Sequence, residues 1–166
     1  MTTGNISVIV EDTSWKKSGV SLARVKTAAR LALARGNDSL FLPRTCAAER
    51  SGPILTLLLA NDERLRALNA RFRRKDAPTN VLSFPAAKAD GHVGDVAIAL
   101  GVATREATTA GMKLEAHVLH LVVHGVLHLF GYNHVRSREA RVMERLEIAI
   151  LDELGIPSPY APAAAR

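Results

Sequence analysis

The chain is 166 residues long, 48% hydrophobic and 23% charged, which suits one domain with a real core and excludes a disordered chain. Lys and Arg outnumber Asp and Glu by 22 to 16, and the resulting +6 with a pI near 10.0 favours polyanionic partners such as nucleic acid or an acidic membrane. Cys46 is the only cysteine, so an intrachain disulfide and a cysteine-based zinc site are both excluded.

The N-terminal stretch has no charged segment followed by an apolar run, so no secretory signal is expected. The apolar runs are too short and too interrupted to span a bilayer. Together with the lone cysteine, these features lead us to expect a cytoplasmic protein. Ile6 to Val10 alternates like a first strand. Leu22, Val25, Ala28, Ala29, Ala32 and Leu33 recur at helical spacing, and Gly36-Asn37 would close that helix. Pro53 to Ala60 is nearly continuous in apolar residues, the pattern of a strand covered on both faces. Asn61 suits the cap of the next helix, with Asp62 and Glu63 in its first turn, Leu65 and Leu68 inward, and Arg64, Arg66 and Arg71 outward.

Arg71 to Pro85 reads as a basic loop running into a strand that Pro85 ends. Gly91 to Ala99, with Val93, Val96 and Ile98 as its apolar members, reads as another strand, able to pair with the previous one through residues 86–90. From Gly101 onward the spacing predicts three helices: one to about Ala110, one from Leu114 to Phe130 and one from Ser137 to Leu154, stopped by Gly155 and Pro157. The order predicts a single α/β domain over residues 1–155. It would be a small mixed β-sheet packed with helices, the histidine-bearing helix among them, followed by a flexible tail over 156–166.

That helix carries His117, His120, His124 and His128, and His134 follows it. Positions 120, 124 and 128 lie almost above one another, and adjacent members of the stripe, roughly 6 Å apart at Cβ, can close on one Zn²⁺ through bonds of about 2.0–2.1 Å. Positions eight apart are separated by about 12 Å along the axis and cannot share an ion. The stretch HGVLHLFGYNH, His124 to His134, selects the pair and supplies the third ligand. Gly131 can end the helix with φ > 0, so the chain doubles back and presents His134. This is the H-x-x-x-H-x-x-G-x-x-H arrangement of the extended metalloprotease site. Three neutral imidazoles leave a fourth tetrahedral position open, as in catalytic zinc. Ni²⁺ or Cu²⁺ would bind the same donors.

His92 and His117 fall outside the motif and are expected to be structural, whereas His120 is expected to contact substrate or to support the ligands from behind. The protease motif has its general base, Glu, directly after the first histidine. Gly125 stands there instead, which argues against peptidase chemistry and is expected to leave room beside the metal for a bulky substrate group. Arg71, Arg73, Arg74 and Lys75 cluster ahead of Asp76 and Pro78, and guanidinium forks suit phosphate oxygens.

LNARFRRKDAPTNVLSFP (Leu68 to Pro85), GDVAI (Gly94 to Ile98) and the histidine stretch, in this order, make the chain resemble the YbeY-type endoribonucleases, the bacterial rRNA maturation factors. The resemblance extends from about Ile54 to Leu154, and the first fifty residues and the tail add little to it. It implies a metal-dependent, single-strand-specific endoribonuclease acting in 16S rRNA 3′-end maturation and ribosome quality control, with the ribosome or ribosomal proteins as partners. By the same resemblance His124, His128 and His134 hold one Zn²⁺ and Arg73 is the catalytic arginine; Lys75, beside it in the basic cluster, is expected to help steady the phosphate. Phe72 stands where the family more often has Tyr. Asn133 stands where the family more often has Asp, which removes a carboxylate that could act as a base and leaves an amide able to orient His134 or a water. A non-catalytic zinc-containing assembly factor and a metalloprotease are the alternative classes.

Overall fold

The structure is a computed structural model, and it describes residues 5–36, 54–87 and 91–160. Cys46, Asn37, Pro53, residues 88–90 of the strand connection and the last six residues of the expected tail lie outside them. Four strands form one sheet: β1 (Asn5–Val10), β2 (Ile54–Ala60), β3 (Val81–Pro85) and β4 (His92–Ala99). Their order is β1-β2-β4-β3, with β1, β2 and β4 parallel and β3 antiparallel on the edge beside β4. The helices are α1 (Leu22–Gly36), α2 (Asp62–Arg73), α3 (Leu100–Thr109), α4 (Leu114–Leu129) and α5 (Ser137–Glu153). The mixed sheet packed with helices is the architecture expected of the sequence.

The main core lies on one face of the sheet, where α1 and α4 pack over Leu55, Leu57, Leu59, Val96 and Ile98 and α5 packs on those two helices. The β2 strand is not covered equally on both faces. Leu55, Leu57 and Leu59 are fully buried, while Ile54, Thr56 and Leu58 on the opposite face are half-buried. Among the described residues that second face is served by α2 and by Val102 at the start of α3, over a small cluster of Ala60, Leu65, Leu82, Ala97 and Ala99. A continuous apolar run therefore overstated the burial, because one short helix and the end of another cannot cover four strands.

Asn61 caps α2 as expected, its side chain accepting the Arg64 amide at 2.9 Å. The helix continues through Arg71, Phe72 and Arg73, so the first residues of the expected basic loop are its last turn. Arg74 ends it in the left-handed region at φ 57°. A short 3-10 turn at Thr13–Lys17, not foreseen from the sequence, buries Trp15, whose indole N–H donates to the Ala60 carbonyl at 2.9 Å. Beyond α5, residues 156–160 lie against the body of the protein: Ile156 is buried, and Tyr160 reaches the buried Glu147 of α5.

Candidate metal centre

α4 is the most enclosed helix. From Val118 to Leu129 every residue is buried except His120, His124 and His128. Apolar residues around most of a helix drive it into the core, and the histidine stripe is the one line along which this helix stays partly open. Gly131 follows at φ 84°, with its amide bonded to the His128 carbonyl (3.1 Å) and the Tyr132 amide to Leu127 (3.3 Å). Asn133 accepts the Val135 amide at 3.2 Å, shaping the turn that carries His134. The turn brings His134 alongside the helix, its ring centroid 5.5 Å from that of His124 and 5.2 Å from that of His128. One nitrogen from each of His124, His128 and His134 falls within 4.8 Å of the others.

The hydrogen bonds of this trio fix which nitrogens are free. His128 Nδ1 lies 2.8 Å from the Tyr132 carbonyl, which can only accept, so Nδ1 carries the proton and Nε2 is a bare lone pair. His124 Nδ1 lies 2.6 Å from a Glu147 carboxylate oxygen and is a donor by the same logic. The two Nε2 atoms then face one another at 2.9 Å, lone pair to lone pair. Such a contact is repulsive unless a cation lies between the nitrogens. Nitrogens bound tetrahedrally to zinc would be about 3.3 Å apart, given bonds of about 2.0–2.1 Å. Burial, then the neighbouring His124, push the His128 imidazole down to about 4, so it is neutral at physiological pH, as a ligand must be. The donor set fits a divalent metal.

Glu147 was not singled out from the sequence, although a signal was present. It lies on α5 between Met143 and Ile150–Leu151, in the buried stripe, where a carboxylate is costly unless paired. Burial alone would raise its pKa. The neighbouring donors His120, His124 and Tyr160 outweigh this and hold it down to about 2.

A cleft of about 620 Å³ opens on the three histidines and is walled by α2, the 75–80 loop and β3. Arg73 and Lys75 both line it, together with Asn69, Thr79, Asn80 and Ser83, and no carboxylate does so among the described residues. Its walls are neutral or cationic, suited to a phosphate-bearing ligand. Arg73 is steadied by donating to the Ser83 carbonyl at 3.0 Å. Arg66 grips Asp76 at 2.7 and 2.9 Å, and Asn69 donates to Ala77 at 2.8 Å, so the loop carrying Lys75 is tied to α2 at two points. Asn69 is another residue that the sequence does not single out, since its contact with Ala77 depends on how the loop folds back.

His120 does not line the cleft. It faces the other way, its Nε2 3.5 Å from Glu147 and its ring 5.9 Å from that of Tyr160. His117 pairs with Glu106 of α3 at 2.7 Å, and His92 lies beside Asp95 at 3.1 Å, both away from the trio. The expected role of Gly125 needs correction. It is buried, facing the sheet, and a Cβ there would lie 2.6 Å from Val96 Cγ1 and 3.1 Å from Val81 Cγ2. Its carbonyl accepts the Ser83 hydroxyl at 2.8 Å. Gly125 makes room for β3 and β4, not for substrate.

The family model of Endoribonuclease YbeY matches residues 12–155. Endoribonuclease YbeY of Maricaulis maris is 40% identical over 156 residues, covering 93% of this chain and 91% of the relative. A Rhodopseudomonas palustris protein of the same description is 50% identical over 121 residues, covering 69% of this chain and 64% of the relative. A Thermotoga maritima protein solved in solution shares the fold, with a TM-score of 0.56 at 20% identity over 97% of this chain and 99% of that one. The family match begins at Asp12, well ahead of the Ile54 start of the resemblance noted in the sequence, so the 3-10 turn and α1 belong to the matched region as well, while β1 lies just ahead of it. With a three-histidine site capable of holding a metal and a cationic cleft beside it, the chain belongs to the Endoribonuclease YbeY family and is a nuclease that hydrolyses RNA.

Proposed function

We propose that the protein is a zinc-dependent, single-strand-specific endoribonuclease that acts in 16S rRNA 3′-end maturation and ribosome quality control, in the cytoplasm and in contact with the ribosome or its proteins. The observation that supports this most directly is the opposition of His124 and His128 Nε2 atoms at 2.9 Å within a cleft that also holds Arg73 and Lys75. Held by His124, His128 and His134, one Zn²⁺ would supply Lewis acidity for phosphodiester cleavage. Arg73 binds and orients the scissile phosphate, its fork matched to two oxygens, and offsets charge that gathers there in the transition state. Lys75 holds a neighbouring phosphate as a point charge. Thr79 offers its hydroxyl to the rest of the bound strand, while the amides of Asn69 and Asn80 hold the wall in place through Ala77, Glu106 and the Val81 amide. His120, behind the trio, supports Glu147 rather than touching RNA. No helix among the described residues is long and apolar enough to cross a membrane.

The experiment is cleavage of single-stranded and duplex RNA oligonucleotides by protein freed rigorously of contaminating nucleases. His128→Ala should abolish cleavage and zinc binding together. Arg73→Ala should lower cleavage about 10²–10³-fold, the loss usual for one group that stabilises transition-state charge, while leaving zinc stoichiometry intact. Full cleavage by folded His128→Ala would refute the metal assignment, and 2′,3′-cyclic phosphate ends would replace hydrolysis by attack of the RNA 2′-hydroxyl. RNA binding without cleavage by the metal-loaded protein would favour an assembly factor.

A further inference from the structure

Glu147 is fully buried, and its two carboxylate oxygens face in different directions along one chain of contacts. Oε1 takes the Nδ1 proton of His124 at 2.6 Å. Oε2 accepts the hydroxyl of Tyr160, which arrives from beyond the end of α5, and lies 3.5 Å from His120 Nε2. That His120 nitrogen is buried and makes no hydrogen bond of its own, so the carboxylate is the polar group nearest to it. An interior carboxylate is a poor source of stability, since well-packed apolar residues usually serve as well or better. The groups that meet it are donors, and one of them is an imidazole whose opposite nitrogen points into the cleft. We propose that Glu147 is the positioning residue of the metal site, fixing the tautomer and ring orientation of His124 and strengthening its Nε2 as a donor, with Tyr160 and His120 holding the carboxylate in place.

On this assignment residues 156–160, expected from the sequence to be tail, complete the metal centre from behind. Tyr160 occupies the second carboxylate oxygen, so Oε1 alone is left for His124. The carboxylate also brings one negative charge next to three neutral ligands, which favours a dication over a monocation. The inference rests on the three-histidine reading of the site and deepens it.

Zinc affinity, measured by competition with a chromophoric chelator, separates the two. Glu147→Gln keeps the shape and an acceptor but loses the charge, and should weaken zinc binding about 10–100-fold, the usual cost of losing such a partner. Tyr160→Phe should weaken it a few-fold. In the Co²⁺-substituted protein both variants should shift the visible ligand-field bands, whereas a side chain that only packs would leave them in place. If Glu147→Gln folds and binds zinc with unchanged affinity and an unchanged Co²⁺ spectrum, the assignment is overturned while the histidine site stands. Should Glu147→Gln fail to fold, Tyr160→Phe decides: unchanged affinity and spectrum overturn the proposal, and weakened affinity supports it. An unsubstituted protein that takes up no zinc would overturn both readings.

Discussion

Gly125 occupies the position where related metal motifs carry a base, and its surroundings explain why no base stands there. The Cβ of any other residue would press into Val96 and Val81, both in the sheet on which α4 rests. Gly125→Ala is expected to cost about 1–3 kcal/mol through overpacking, read as a lower urea midpoint with an unchanged slope. Gly125→Glu should fail to fold rather than gain peptidase activity, because its carboxylate would enter the core without a partner. A soluble Gly125→Glu protein with native stability would show this account of the helix–sheet contact to be mistaken. Gly131 differs from it in kind: at φ 84° it serves conformation, and it turns the chain so that His134 meets the other two histidines.

At the scale of elements, α4 and α2 divide the work. α4 is held by apolar packing on nearly all sides, so its histidines are presented by a rigid support. α2 lies on the thinly covered face of the sheet, and its C-terminal turn together with the 75–80 loop forms the cationic wall of the cleft. That loop has little apolar anchorage and depends on Asn69 and on the Arg66–Asp76 pair. The ion pair is exposed and contributes little by itself. Asn69 is buried, so Asn69→Ala removes a partner from the Ala77 carbonyl and should cost about 1–3 kcal/mol. Its larger effect should be on RNA: KM should rise severalfold, with zinc affinity unaltered. A rise in KM no greater than the error, in a variant measurably destabilised, would mean that the loop does not need this tether.

For the molecule as a whole, acid should act through the site. His128 is held down to about 4 in the folded protein against an ordinary value of 6.5, so the unfolded chain binds the proton first. Its contribution to stability is complete above about pH 6.5 and is lost as the pH falls through 4. Glu147, lowered from 4.5 to about 2, contributes fully above 4.5 and loses its share as the pH falls through 2. The melting temperature of the metal-free protein should therefore decline between pH 7 and pH 4, and further below. A melting temperature that holds or rises over that interval would contradict the sign. At neutral pH, free zinc at a hundred times its Kd should add about 2.7 kcal/mol to stability, about 5–10 °C in a domain of this size.

Much of the molecule is legible in the sequence because it is written in short-range spacing. Helical repeats and turn residues place the elements in order. The intervals between His124, His128 and His134, with Gly131 at the turn, pick out the three histidines that the fold brings within reach of one ion, since both the pair and the reversal are local geometry. Arg73 and Lys75 were singled out by the motif around them, and their place in the cleft depends on the fold. What only the tertiary structure decided is set by contacts between distant segments. Glu147 and Tyr160 reach His124 from α5 and beyond it, Asn69 ties a loop residue eight positions on, and His120 turns from the cleft toward the core. Gly125 makes the same point, since the open space it implies along α4 is filled by Val81 and Val96 from two strands of the sheet. Local sequence specifies what a side chain can bind; which neighbours fill the space around it depends on how the layers close.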